Sequence, residues 1–276
     1  MRTHIIHSLL PLLILALLLG ACTQAIPQTG GDQSELRLEL TDSAVTAPAS
    51  ASAGVTTVTL NNTSQTKRTV TLARLNTGVT VEQFTEQLAT DDIAAVELVA
   101  LDGGRNAPAG QTTQVTLDLE EGTYVVVAFP DSDGPPLLTN FQVGAAGAGQ
   151  ASPPTAGVTV DMGDFFFSMP DSVSADSAIW EVTNSGQQWH ELVIFKPGEG
   201  FTQEQFLEMV MSDQPPAGEP PMEEIATFGP SSQGERGWLT LDLEPGRYWA
   251  VCFLPDLVGG GESHVQKGMF KEFTVP

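Results

Sequence analysis

The chain has 276 residues, with 11 lysines and arginines against 34 aspartates and glutamates, and a formal net charge of −23. A surface of this sign repels phosphate backbones, so the composition excludes nucleic acid as a partner and favours cationic partners or simple solubility outside the cell. Two cysteines and four histidines make a small inventory of metal-binding side chains.

The N-terminus has the pattern of an export signal. Arg2 precedes an apolar run from Leu9 to Leu19, which ends in Gly20-Ala21-Cys22. The run is short for a membrane-spanning helix, and its ending resembles the lipobox of bacterial lipoproteins, in which the cysteine becomes a lipidated N-terminus. We predict a signal peptide over residues 1–21, a polar tether over 22–34, and anchoring to membrane lipid at the outer face of the cytoplasmic membrane or in the outer membrane. An ordinary cleaved signal or a short anchor is the alternative.

An internal repeat follows the tether. Identical residues recur at a separation of 122 positions, so that Asp42, Asn62, Gln65 and Gly78 match Asp164, Asn184, Gln187 and Gly200. Such self-similarity indicates a duplicated domain. We predict one domain over residues 35–143 and a second over 158–276, joined by a linker over 144–157 that is rich in Ala, Gly and Pro.

Both copies consist mainly of short apolar runs bounded by Gly, Pro, Asn and Asp, which predict strands. In the second copy the predicted strands are Val158–Met162, Ala178–Thr183, His190–Lys196, Gly237–Leu243, Arg247–Phe253 and Phe270–Val275. Thr202 and Gln205 have the spacing of a helix capping box, and Thr80 and Gln83 repeat it in the first copy. Many strands with one short helix per domain predict an all-β fold of two tandem Greek-key β-sandwiches.

The mature chain would keep few side chains that can bind a metal. If Cys22 carries lipid, Cys252 is the only thiol left, and an unpaired thiol in an exported protein needs burial or a metal. His4 and His7 leave with the signal peptide, so His190 and His264 are the remaining histidines. Each of these residues alone is more often a core residue than a ligand, so their arrangement decides the interpretation.

Three segments of the second copy resemble plastocyanin-type cupredoxins. Asn184 to Val193 resembles the strand that supplies the family's first histidine, and Gly246 to Cys252 resembles the strand that ends in the copper-binding cysteine. His264 to Met269 is similar to the family's His-x4-Met segment. The resemblance implies one type 1-like copper ion, bound by His190, Cys252, His264 and Met269. A thiolate, two imidazoles and a weak thioether suit copper in both oxidation states, so the implied function is one-electron transfer.

The resemblance has one departure and one internal control. Cys252 and His264 are twelve residues apart, more than the family usually places there, although copper nitrite reductases have a similarly lengthened loop. In the first copy, Arg68 and Ala128 occupy the repeat positions of His190 and Cys252, and the segment with the last two ligands has no counterpart. We therefore expect the first domain to bind no copper and to be a structural or docking module.

The expected protein is a membrane-anchored, extracytoplasmic copper protein that is an electron carrier or binding protein and not a catalyst. Its expected partners are membrane lipid and a cationic redox protein. The alternative is a non-redox docking or copper-storage module. A multicopper oxidase or nitrite reductase would need further histidines. A serine hydrolase would need a nucleophile turn of the form Gly-x-Ser-x-Gly, which this sequence does not contain. Among the remaining polar and aromatic residues, Trp189 is expected to pack or to lie at the surface and not to relay electrons, and Glu191 and Glu262 are expected to be solvated.

Overall fold

The computed structural model describes most of the chain beyond its N-terminal segment. The described residues are 34–132, 134–147, 151–212, 218 and 220–276. The signal peptide, Cys22 and the tether up to residue 33 lie outside them, so lipid anchoring stays a prediction. No helix in the described ranges is long and apolar enough to cross a membrane.

Short strands dominate both repeats, as the alternation of apolar and polar residues predicts. In the first strand Leu36, Leu38 and Leu40 are buried, and the residues between them are partly or fully exposed. The described part of the first repeat contains β1 Ser34–Leu40, β2 Val45–Thr46, β3 Ser50–Ser52, β4 Gly54–Asn62, β5 Arg68–Leu75, α1 Val81–Leu88, α2 Asp92–Val96, β6 Val99–Ala107, β7 Thr112–Leu119, β8 Gly122–Pro130 and β9 Leu137–Gly144. That of the second contains β10 Val158–Gly163, β11 Phe166–Ser168, β12 Ile179–Asn184, β13 His190–Pro197, α3 Gln203–Val210, β14 Met222–Ser231, β15 Arg236–Thr240, β16 Gly246–Val251 and β17 Phe270–Val275.

The strands form two sheets, each of which contains strands of both repeats. One sheet has the order β11-β10-β12-β15-β7-β4-β1-β2, and the other has the order β17-β16-β13-β14-β6-β5-β8-β9-β3. In each repeat the first strand pairs in parallel with its neighbour, β1 with β4 and β10 with β12, so the repeats share their topology. One apolar core runs through both repeats. The predicted all-β class is confirmed, and the predicted domain boundaries stay a prediction.

The two repeats meet edge to edge in both sheets. β7 pairs with β15 and β6 pairs with β14, so corresponding strands of the repeats lie antiparallel to each other. Phe228 is fully buried at this junction. A Cβ atom on Gly237 would lie 2.5 Å from the Phe228 ring and 2.8 Å from the carbonyl oxygen of Thr116. The close approach of the two edges therefore requires glycine at position 237.

A buried ionic cluster lies at the same junction. Asp102 is 1% exposed and accepts a hydrogen bond from the Tyr124 hydroxyl. The Arg74 guanidinium lies 3.7 Å from the Asp102 carboxylate and 3.0 Å from the Glu235 carboxylate, so it links the two repeats. Burial raises the pKa of Asp102 to about 7, and the negative charge of Glu235 adds to this effect. The hydrogen bond from Tyr124 and the charge of Arg74 oppose it.

Several elements differ from their sequence predictions. The strands β11 and β14 and the short helix α2 were not predicted. The Gly229-Pro230 pair is typical of a turn, yet β14 continues through it to Ser231, which pairs with β6 of the first repeat. β16 ends at Val251, so Cys252 lies one residue beyond the strand and not within it. The amide nitrogen of Cys252 donates instead to the carbonyl oxygen of Met269 at 3.3 Å.

Candidate metal centre

Neighbouring strands place His190 and Cys252 at the same edge of one sheet. His190 is the first residue of β13, and Cys252 directly follows the last residue of β16. β13 and β16 are antiparallel neighbours, with Val193 opposite Val251. The start of one strand therefore lies beside the end of the other. His264 comes from the loop that connects β16 to β17.

His190, Cys252 and His264 form a buried group of three potential ligands. Their ligand atoms all lie within 4.8 Å of one another, and each side chain is fully buried. The Nδ1 atom of His264 is 3.0 Å from Nδ1 of His190 and 3.3 Å from Sγ of Cys252. A metal ion about 2.0–2.3 Å from each ligand holds ligand atoms about 3–4 Å apart. The group could therefore bind one copper ion.

Met269, the fourth residue of the predicted ligand set, is tied to two of the others through its backbone. Its amide nitrogen donates to the carbonyl oxygen of His264 at 2.9 Å, and its carbonyl oxygen accepts from Cys252. The Met269 side chain is fully buried and belongs to the same apolar core as Cys252. Axial ligation by its sulfur stays a prediction.

Hydrogen bonds hold the long, glycine-containing loop between Cys252 and His264. The Asp256 carboxylate accepts from the amide nitrogens of Val258 and Gly259 at 3.0 and 2.9 Å, and it pairs with Lys267 at 2.5 Å. The Lys267 ammonium lowers the pKa of Asp256 to about 2. The amide of His264 donates to the carbonyl oxygen of Leu254 at 2.8 Å. The loop is therefore closed on itself, and its length does not separate the two ligands.

A carboxylate that the sequence analysis did not assign to the site lies beside His190. Asp164 Oδ1 is 3.0 Å from His190 Nε2, and it also accepts from the amides of Gln187 and Gln188 at 2.9 and 3.1 Å. Partial burial acts to raise the pKa of Asp164, but these hydrogen bonds outweigh it and lower the pKa. An ionised carboxylate can only accept, so Nε2 of His190 donates, and the lone pair of Nδ1 faces the group, 3.0 Å from Nδ1 of His264.

Both imidazoles are neutral in this environment. Burial lowers the pKa of His190, and the nearby Asp164 only partly opposes it. Burial and then the neighbouring His190 lower the pKa of His264 to about 4. Neutral imidazole is the form that binds metals. The Nε2 atom of His264 is buried and has no hydrogen-bond partner among the described residues.

The ring of Phe165 lies against His264. The two ring centroids are 5.2 Å apart at an interplanar angle of 83°, an edge contact. Lys267 Nζ is 5.3 Å from the centroid of the Phe165 ring. Phe165 has φ +68°, and no other non-glycine residue in the described ranges has positive φ. Backbone conformations of this kind cluster at functional sites.

The Cys252 side chain is fully buried, so its surroundings are less polar than those of a thiol in water. Burial raises the pKa of Cys252, and the charge of Glu191 adds to this effect. Glu191 is half-buried and accepts from the amide of Phe253 at 3.1 Å, so the expectation that it is simply solvated is wrong. Burial raises its pKa to about 7. Trp189 packs against an apolar cluster of the first repeat, as expected, and Glu262 is exposed.

The first repeat has one of the turn contacts of the metal site, but its residues at the ligand positions are not metal ligands. Arg68 occupies the place of His190 and donates to the carbonyl oxygen of Asp42 at 3.1 Å. The Asp42 carboxylate accepts from the amide of Gln65 at 2.9 Å, as Asp164 accepts from Gln187. Ala128 is fully buried in the core. The group in the second repeat is the one cluster of three His, Cys, Asp or Glu ligands found among the described residues.

The chain was compared with known proteins. No family model and no curated protein matches it. It is similar to the solved structure of dithionite-reduced auracyanin from the photosynthetic bacterium Roseiflexus castenholzii, with 21% identity, 43% of this chain and 94% of that chain covered, and a TM-score of 0.30. Auracyanin B gives 21% identity, coverage of 45% and 93%, and a TM-score of 0.30. A copper-containing nitrite reductase from Thermus scotoductus SA-01 gives 12% identity, coverage of 90% and 68%, and a TM-score of 0.23.

Proposed function

We propose that the second repeat binds one copper ion through Cys252, His190 and His264, with Met269 as a weak axial ligand, and that the centre transfers single electrons. The observation that supports this proposal most directly is the convergence of one thiol and two imidazoles in a fully buried group. Soft sulfur ligands favour Cu(I), imidazole also suits copper, and two histidines and one cysteine with a weak axial methionine form the ligand set of electron-transfer copper sites. When bound, copper supplies a reversible one-electron couple at this position.

The residues of the chain prepare the site for a metal ion. Asp164 sets the tautomer of His190, and the buried His264 is neutral, so neither histidine has to lose a proton at neutral pH. The raised pKa of Cys252 means that metal binding displaces the thiol proton. The closed loop before His264 keeps the ligands in place, which favours a small rearrangement when the oxidation state changes.

The histidine inventory favours a carrier over a catalyst. A further catalytic copper centre would need additional histidine ligands, and the chain has only His190 and His264 beyond the predicted signal peptide. Both are members of the buried group. Electron transfer needs no open position on the metal, whereas catalysis at a metal usually does. A non-redox docking or copper-storage role is the competing proposal, and the test below separates it from electron transfer.

We also propose that the protein is exported and anchored by lipid on Cys22, with membrane lipid and a cationic redox protein as its partners. Without the predicted signal peptide the chain has 10 lysines and arginines against 34 acidic residues, a formal charge of −24, which favours cationic partners. Cys22→Ser should move the protein from the membrane fraction to the soluble fraction. If the variant remains as membrane-bound as the unaltered protein, lipid anchoring is wrong.

The copper proposal is tested by titrating the metal-free chain with Cu(II) and recording its visible spectrum. One equivalent should produce an intense thiolate-to-copper absorption that mild reductants bleach and oxidation restores. Cys252→Ser should abolish the band, and His190→Ala should weaken it or change its energy. The matched control is Arg68→Ala, which alters the corresponding position of the first repeat and should leave the spectrum unchanged.

Four results would contradict the proposal. Copper binding without a thiolate band, or a band that survives Cys252→Ser, would exclude the proposed ligand set. A thiolate band that cannot be cycled with reductant and oxidant would exclude electron transfer and favour copper storage. Uptake of a second equivalent of copper by the unaltered protein would contradict the prediction that the first repeat binds none.

A further inference from the structure

The turn between β10 and β11 contacts both histidines of the site, and it lies outside the segments that suggested a copper protein. We propose that Asp164 and Phe165 in this turn form an outer layer of the metal centre: Asp164 positions His190, and Phe165 closes the site over His264 against small external ligands. This inference rests on the proposed copper function. It adds two positioning residues and assigns a closed coordination shell to the centre.

The case for Asp164 rests on its three contacts. Its Oδ1 atom accepts from His190 Nε2 and from two consecutive backbone amides, those of Gln187 and Gln188. The segment before His190 therefore holds the carboxylate, and the carboxylate holds the imidazole. A Cβ atom on Gly186 would lie 2.6 Å from both Asp164 Oδ1 and His190 Nε2, so the backbone approaches this pair as closely as glycine allows. A carboxylate in this position fixes the orientation of a metal-binding imidazole.

The case for Phe165 rests on its position over His264. Its ring meets the imidazole edge-on, and Lys267, which is anchored by Asp256, lies on the ring. His264 is fully buried although its Nε2 atom has no hydrogen-bond partner among the described residues. The half-buried Phe165 ring thus covers part of a fully buried imidazole. The left-handed backbone at Phe165 is unfavourable for a residue with a Cβ atom, and it occurs where the turn between β10 and β11 brings the ring against His264.

The first repeat provides an internal comparison. Its equivalent turn joins β1 to β2 in the same register, with Leu40 opposite Val45 where the second repeat has Met162 opposite Phe167. The acidic residue is kept there as Asp42 and still accepts from a backbone amide. The next position is an exposed serine. The turn therefore forms without an aromatic residue, and the aromatic residue in the left-handed conformation is present only in the repeat that contains the ligands.

Copper-loaded full-length protein with Phe165→Gly tests the closing role. Glycine adopts the left-handed backbone freely, so the variant removes the ring and keeps the turn. Azide, a small anionic ligand, should leave the spectrum of the unaltered protein unchanged and should shift the thiolate band of the variant. Removal of copper by a chelator should be about 10-fold faster from the variant.

Asp164→Asn tests the positioning role, with Asp42→Asn as the matched control in the first repeat. Asp164→Asn should keep the thiolate band, weaken copper affinity by about 10- to 100-fold and shift the reduction potential. Asp42→Asn should change neither quantity. An unaltered protein without a thiolate band would overturn the copper proposal itself. The outer layer alone would be overturned by another combination of results. In that case the unaltered protein has a normal thiolate band, azide leaves the spectrum of Phe165→Gly unchanged, and Asp164→Asn keeps its copper affinity and reduction potential.

Discussion

The ionic cluster between the repeats should make the stability of the protein depend on pH, and Asp102→Asn isolates this effect. Asp102 has a pKa of about 7 in the folded protein, against an ordinary value of 3.8, because it is buried. Between these values the folded state keeps a proton that the unfolded state has released. The free energy of unfolding therefore falls as the pH rises through this range, and it levels off above about pH 7.

The size of the effect follows from the pKa difference. One pKa unit corresponds to about 1.4 kcal/mol, so the change from 3.8 to about 7 corresponds to about 4 kcal/mol at most. Burial also raises the pKa of Glu235, which lies in the same ionic cluster and shares part of this change, so we expect about 2–4 kcal/mol over the whole range. Asparagine at position 102 can accept the hydrogen bond from Tyr124 but does not titrate.

Urea unfolding of the metal-free protein at a series of pH values measures this effect. The stability of the unaltered protein relative to Asp102→Asn should fall by about 2–3 kcal/mol between about pH 5 and about pH 8, because part of the full change lies below pH 5. Glu191 titrates in both proteins, so its contribution cancels in the difference, whereas Glu235 lies in the cluster with Asp102 and contributes to the measured change. Asp118→Asn is the control, because Asp118 pairs with Arg236 at the same junction but is partly exposed. A difference that is the same at both pH values would refute the reasoning.

Three further predictions concern packing, the axial ligand and helix capping. Gly237→Ala should lower the free energy of unfolding by about 1–3 kcal/mol, because its Cβ atom would overlap the Phe228 ring, and urea unfolding measures this change. Met269→Leu should keep the thiolate absorption and shift the reduction potential in voltammetry; loss of the absorption would assign Met269 a larger role than weak axial ligation. Thr202→Ala and Thr80→Ala remove equivalent capping boxes, so each should cost about 1 kcal/mol in urea unfolding, and unequal costs would show that the repeats differ in helix stability.

Much of the local structure could be predicted from residue patterns. The capping boxes at Thr80 and Thr202 begin helices α1 and α3 as expected, because a cap depends on residues three positions apart. The strand from His190 was predicted to within a residue at its C-terminal end. No strand was predicted at β14, whose Gly229-Pro230 pair is a local turn signal, and pairing with β13 and β6 keeps the segment extended. Pairing partners distant in sequence override local preference.

The sequence by itself determined the all-β class, the internal repeat, and the three residues His190, Cys252 and His264 that meet in the buried group. These features depend on the alternation of apolar and polar residues, on identical residues at a fixed separation, and on the small number of histidines and cysteines. Only the tertiary structure decided that the two repeats share both sheets, and that Asp164 and Phe165 contact the histidines. Asp164 is 26 residues from His190, and Phe165 is 99 residues from His264, so no local pattern links them. Their contacts exist because β-sheet pairing brings together segments that are far apart along the chain.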